Sequence, residues 1–160
     1  IFKSLKYNNK DGKHELLITF SVKNNSRLNL KIKDYNIDVS INGNKIGTTK
    51  MEGETIVLKK KDVTKMTVPL EIDIDSKYII DMIVDYLKNP KKSNTINLKG
   101  NIRGGIFIFN KDIEIDKTHT FKTSDVENIK GFIKVVDLGP FNRYKKNANK
   151  IIDKVFDIFN

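Results

Sequence analysis

The sequence predicts a mainly β chain: an antiparallel β-sandwich of immunoglobulin/fibronectin-III-like character, with one inserted helix and a C-terminal helical extension. Three observations carry this expectation. About eight segments alternate apolar and polar residues with the period of a half-buried strand, and clusters of Asn, Asp, Gly and Lys separate them. Between Asp75 and Asn89 that period gives way to a helical one. Beyond Phe121 helical spacing returns in two stretches.

In chain order, Phe2 to Tyr7 sets Phe2, Ser4 and Lys6 against Lys3, Leu5 and Tyr7, then meets the turn cluster Asn8-Asn9-Lys10-Asp11-Gly12. It reads as an edge strand. His14 to Lys23 places Leu16, Ile18, Phe20 and Val22 on one face of a core strand. A polar bend, Asn24-Asn25-Ser26-Arg27, leads to the central stretch. There Tyr35, Ile37, Val39 and Ile41 face in, while Asn36, Asp38, Ser40 and Asn42 face out. Asn42-Gly43 supplies the left-handed residues of a two-residue hairpin, so the chain should reverse and return through Lys45-Ile46-Gly47. Phe20 and Ile37 are expected in the buried core.

Glu54 to Lys59 forms a short strand with Ile56 and Leu58 inward, and Lys59-Lys60-Lys61-Asp62 turns the chain. Val63 to Ile74 puts Met66, Val68, Leu70, Ile72 and Ile74 inward. Pro69 cannot donate to a ladder, so this strand should lie at an edge or carry a bulge. From Asp75 to Asn89, Lys77, Asp81, Asp85 and Lys88 form one polar stripe of a helix. Asp75 or Ser76 is positioned to cap its start and Asn89-Pro90 to stop it. Its wide apolar surface should close one open end of the sheets. Thr95 to Arg103, Ile106 to Asn110 and Ile113 to Phe121 read as three strands, with turns or bulges at Gly104-Gly105 and Asn110-Lys111-Asp112.

The sandwich is expected over residues 1–122 and the extension over 123–160. Ser124-Asp125-Val126-Glu127 has capping-box spacing, and Val126, Ile129, Ile133 and Val136 follow it at helical intervals. A strand from Phe132 to Leu138 is the competing reading for residues 125–138. Gly139-Pro140 breaks the chain. From Asn142 to Asn160 a stripe of Tyr144, Ala148, Ile151, Val155 and Ile158 is widened by Ile152, Phe156 and Phe159. Early basic residues and late Asp153 and Asp157 oppose the helix dipole, so burial of the apolar stripe must hold such a helix. Ile151, Ile152, Val155 and Phe156 are therefore expected to dock on a partner, a membrane surface or the chain's own body.

A chain of 160 residues with 38% hydrophobic content suits one core. It contains no cysteine, which excludes disulfides, thiolate metal sites and a thiol nucleophile. No apolar run approaches the roughly 18 residues of a membrane span. Thirty basic residues against 20 acidic ones give a net charge of +10, and Arg27, Arg103 and Arg143 are its only arginines. Lysines spread along the chain, without Arg for bidentate base contacts, do not suit a specific nucleic-acid site. They suit a solvated surface with a weak pull toward anionic membranes.

Little in the sequence converges on catalysis. His14 and His119 sit near strand ends without other strong ligands at useful spacing. The rows Glu71-Asp73-Asp75 and Asp112-Glu114-Asp116 place acids about 7 Å apart along extended strands, too spread for one Ca²⁺. The glycines around Lys99 to Gly105 lead into a strand, whereas a phosphate loop leads into a helix. No Gly-x-Ser-x-Gly elbow is present. The expectation is a protein that is not an enzyme and that takes no metal or cofactor.

The order of a strand, a polar Asn-containing bend, Asp34-Tyr35-Asn36-Ile37-Asp38-Val39-Ser40-Ile41-Asn42-Gly43 and then Lys45-Ile46-Gly47 resembles the type-2 late embryogenesis abundant family, the water stress and hypersensitive response domain. It is similar in particular to bacterial members, many of which are envelope lipoproteins. The family usually carries Asn-Pro-Asn at the bend; Asn24, Asn25 and Ser26 stand there, with Asn25 where Pro is expected. The likeness continues through Val68 to Ile72 and Leu98 to Ile102, and spans about residues 2–122. The resemblance implies a non-enzymatic, stress- or desiccation-associated or envelope-protective role that acts by binding. It further implies an extracytoplasmic position, on a lipid tether whose signal segment has been removed; a cytoplasmic position is the alternative. The rival reading is an adhesion or assembly module that binds an envelope protein through an edge strand or the C-terminal helix.

Overall fold

The computed structural model describes residues 1–144. Eight strands and two α-helices make up these residues: β1 (Phe2–Lys10), β2 (Lys13–Lys23), β3 (Leu30–Ile41), β4 (Asn44–Lys50), β5 (Ile56–Leu58), β6 (Val63–Glu71), α1 (Lys77–Lys88), β7 (Ser93–Ile106), β8 (Phe109–Lys122) and α2 (Ile129–Val135). Short 3₁₀ turns cover Thr123–Asp125 and Gly139–Tyr144. One sheet has the order β1-β2-β6; the other runs β4-β3-β7-β8, with β5 also paired to β3. Every strand pairing is antiparallel.

The alternating apolar residues become the core. Leu16 and Ile18 of β2, Met66, Val68 and Leu70 of β6, and Tyr35, Ile37, Val39 and Ile41 of β3 are all buried in one cluster between the sheets. Asn42 and Gly43, at φ 51° and 82°, join Ile41 to Asn44 as the two-residue hairpin that their chemistry predicts. Among the described residues β6 pairs only with β2, so Pro69 lies in an edge strand where its missing N–H is tolerated. The Thr49 hydroxyl donates to the Pro69 carbonyl at 2.7 Å, tying β4 to that edge. β6 stops at Glu71 rather than Ile74, although the Ile72 N–H still donates to the His14 carbonyl at 2.9 Å.

Other expectations are corrected. The three strands expected from Thr95 to Phe121 are two long ones, β7 and β8, paired from Ser93↔Lys122 to Ile106↔Phe109. The turn is Phe107-Ile108, with Phe107 at φ 52°. Gly104-Gly105 and Asn110-Lys111-Asp112 lie inside the ladder, and the irregularity falls on β3 between Ile32 and Asp34. Glycine at 105 answers a close approach: a Cβ there would sit 1.8 Å from the Phe109 carbonyl oxygen. Helix α1 begins after Ser76, but neither expected cap is made, because the Ser76 side chain bonds no helix N–H. Asp73 organises that entry instead, its carboxylate accepting the Asp75 N–H and its carbonyl the Ser76 N–H.

Within residues 125–138 the helical reading prevails. Val126, Ile129, Ile133 and Val136 are buried together with Phe132, whose ring stacks on Tyr7 at 4.7 Å. The Glu127 backbone exchanges hydrogen bonds with Leu5 and Tyr7 and so covers part of the β1 edge. The expected docking face, Ile151, Ile152, Val155 and Phe156, lies outside the described residues.

Strand direction decides which end of the sandwich is closed. Helix α1 crosses from the end of β6 to the start of β7, and the segment leading to α2 leaves the end of β8 on that same side. The opposite end gathers the start of β1, the bend after β2, the start of β3 and the Phe107-Ile108 turn. Among the described residues, no helix covers that end.

Candidate functional site

At the uncovered end the two sheets part around a cavity of about 540 Å³. Phe2, Phe20 and Val22 line it from one sheet, and Leu30, Ile32, Ile102, Ile113 and Ile115 from the other. These are inward residues of strands that extend past the filled core, so the alternation that buries Ile18 and Ile37 leaves Phe20 and Ile115 only half-buried. Phe20 therefore departs from the expected full burial: it is cavity wall. Lys23, Lys31, Lys111 and Lys117 stand among the lining residues, and no carboxylate does. None of these lysines is in a salt bridge among the described residues.

The β7–β8 turn projects beside this mouth. Phe107, Ile108 and Phe109 are 84%, 84% and 76% exposed, an apolar run of a kind that soluble surfaces generally avoid unless it contacts something. Lys33 on β3 steadies the turn, its ammonium donating to the Phe107 carbonyl. His119 closes one flank of the cavity and stacks on Phe2 with ring centroids 5.4 Å apart. Burial pushes its imidazole below the usual range, and the Lys117 charge adds to that effect.

The other singled-out residues lie elsewhere or hold structure. Asn24 is buried at the bend beyond β2; its amide donates to the Leu28 and Leu58 carbonyls, both at 2.9 Å, and its oxygen accepts the Ser26 N–H at 2.9 Å. Asn25 is exposed, and its carbonyl accepts from Lys61 at 2.6 Å. The Ser26 hydroxyl donates to the Leu28 carbonyl at 2.7 Å. His14 Nδ1 pairs with the Tyr7 hydroxyl at 2.7 Å, and burial raises that hydroxyl's pKa.

Of the acidic rows, Asp112 takes Arg103 Nε at 2.9 Å and Nη2 at 3.3 Å, which holds its carboxyl below the ordinary carboxylate range. Asp116 takes the Asn97 amide at 2.8 Å. Among the described residues no three His, Asp or Glu side chains come together in a metal-holding group. Nor is any described helix long and apolar enough to cross a membrane.

Sequence reasoning missed the cavity and its apolar tip. The available signal was Ile106-Phe107-Ile108-Phe109, four consecutive apolar residues. A run without alternation does not state which face is inward.

The family model described as late embryogenesis abundant protein matches residues 19–119, well over half the chain and all of the span from late β2 through most of β8. The chain belongs to the type-2 late embryogenesis abundant family. The matched span of this late embryogenesis abundant protein carries most of the cavity wall, from Phe20 to His119. A protein from Arabidopsis thaliana, known from a solution structure, shares the fold: TM-score 0.51 at 18% identity, covering 74% of this chain and 76% of that one. A protein from Archaeoglobus fulgidus, known from a crystal structure, aligns with TM-score 0.48 at 16% identity over 77% of this chain and 98% of its own. No curated protein matches the chain.

Proposed function

We propose that this chain serves a stress- or desiccation-associated protective role and that it acts by binding rather than by catalysis. Family membership supports the first half, since the family carries stress-associated and generally non-enzymatic roles. The observation that carries the second half is the apolar cavity at the uncovered end of the sandwich, of a size with the roughly 300–1,000 Å³ of small-ligand sites. Of the acidic rows, Asp112 is engaged by Arg103 and Asp73 by the entry to α1. In the same reading the protein works outside the cytoplasm on a lipid tether, as the likeness to bacterial envelope members implies.

The role is tested in cells. Strains with and without the gene are dried and rehydrated, and survival is counted alongside envelope integrity measured by dye entry. Loss of survival on deletion, restored by the intact gene, is expected; equal survival of both strains overturns the protective role. Labelling of the full-length product with radioactive palmitate tests the tether, and an unlabelled product in the soluble fraction overturns that placement.

A further inference from the structure

The cavity and its surroundings specify more than a general binding surface. Its walls are apolar, with Phe20 of one sheet set against Ile32, Ile102 and Ile115 of the other. Its fixed charges are all of one sign, and Lys111 and Lys117 supply them from the inward face of β8, in step with Ile113 and Ile115. A lysine can lay its methylene stem along such a wall while its ammonium group stays at the water boundary. The complement is therefore a long apolar chain that ends in an anion. We propose that this cavity takes the acyl chain of an anionic lipid, with the chain lying between the two sheets and its carboxylate or phosphate head held by the lysines at the mouth. The exposed Phe107-Ile108-Phe109 tip lies beside the entrance and suits contact with the apolar zone of a lipid surface from which such a chain would enter.

Charge argues against the other occupants. A second copy of a +10 chain would bring like charge to a basic rim. Residues 145–160 are themselves basic, with Lys145, Lys146, Lys150 and Lys154 against Asp153 and Asp157. An anionic amphiphile satisfies both the wall and the rim. The inference rests on the binding role proposed above and names its ligand class. It stands or falls on purified protein, whereas the protective role stands or falls on survival after drying.

The test titrates cis-parinaric acid into the full chain and follows its fluorescence. Lysophosphatidylglycerol and a neutral fatty alcohol of equal chain length then serve as competitors. Saturable binding at one probe per chain is expected, with the neutral alcohol competing at least about tenfold more weakly than the anionic lipid. Displacement by lysophosphatidylglycerol extends the site to phosphate heads; displacement only by fatty acids restricts it to carboxylates, and either supports the proposal. Ile115→Trp, which fills the gap, should weaken binding by at least about tenfold. If that variant is unfolded by circular dichroism, Ile102→Phe replaces it. The exposed double variant Lys111→Glu, Lys117→Glu should weaken the anionic ligands and leave the neutral alcohol unchanged. Absence of saturable binding overturns the proposal. So does binding that survives Ile115→Trp but is abolished by changing Phe107, Ile108 and Phe109 to Ser, which would mean adsorption to the tip. Binding that appears only when Ile152 and Phe156 are replaced by Asp would assign the cavity to residues 145–160 and overturn it as well.

Discussion

Asn24 shows how much one side chain organises at the bend beyond β2. Buried at 2% exposure, it satisfies two carbonyls from separate segments and one backbone N–H, so the loop at Leu28 and the end of β5 at Leu58 are both referred to it. Asn24→Ala would leave those groups short of partners in a dry setting and should cost about 2–3 kcal/mol. Urea unfolding checks this; a midpoint equal to that of the intact chain would mean water replaces the amide at no cost. His119 sets a pH dependence. Its folded pKa lies below its ordinary value of 6.5, so the unfolded chain binds the proton first as pH falls. Its share of stability is thus fully present above 6.5 and is lost as pH drops through the lowered folded value. His119→Phe keeps a ring against Phe2 but cannot titrate. The stability advantage of the intact chain over this variant should shrink between pH 7.5 and pH 5, about one unit or more to either side of a free histidine's midpoint. A constant difference across that range would refute the assignment.

At the scale of elements, the β7–β8 hairpin is where local turn chemistry and tertiary packing disagree. Gly104-Gly105 and Asn110-Lys111-Asp112 are better turn sequences than Phe107-Ile108, yet both lie within paired strand. Pairing of β7 with β3 as far as Gly105 holds the first in the sheet, and the tight approach of Phe109 to Gly105 holds the hairpin's register. Gly105→Ala should therefore cost about 1–3 kcal/mol, as an overpacked site does. Asn110→Thr, at an exposed strand position, should change stability by no more than about 0.5 kcal/mol. Thermal melts of the two variants decide it. A large loss for Asn110→Thr with none for Gly105→Ala would restore the turn to residues 110–112. Helix α1 makes a related point, since Ser76 stands at the cap position without capping. Its place is held by the burial of Ile79, Met82, Ile83, Val84 and Tyr86 rather than by its ends.

Across the whole molecule, the core is filled at one end and parted at the other. Ile37 lies in the filled part at 1% exposure and Phe20 on the wall of the gap, although both are inward residues of alternating strands, one in each sheet. Ile37→Ala should cost about 2–5 kcal/mol, whereas Phe20→Ala should fall below the roughly 3–5 kcal/mol of a fully buried phenylalanine. Equal or inverted costs from denaturant unfolding would mean that the gap is closed in solution. The sequence by itself determined the strand class, the inward residues of β2, β3 and β6, the Asn42-Gly43 reversal, the restriction of Pro69 to an edge or a bulge, and the existence of α1. Each follows from a period or a backbone preference contained within a few neighbouring residues. It also carried the family, through the order of those elements. Only the tertiary structure decided that the glycines stay in a ladder, that Phe107-Ile108 turns instead, and that residues 126–138, with α2 at their centre, pack on β1. It alone showed the lysine-rimmed cavity, because a gap between sheets depends on where the helices lie along the strands. Alternation names the inner face of a strand, and it is silent on whether anything fills the space that face looks into.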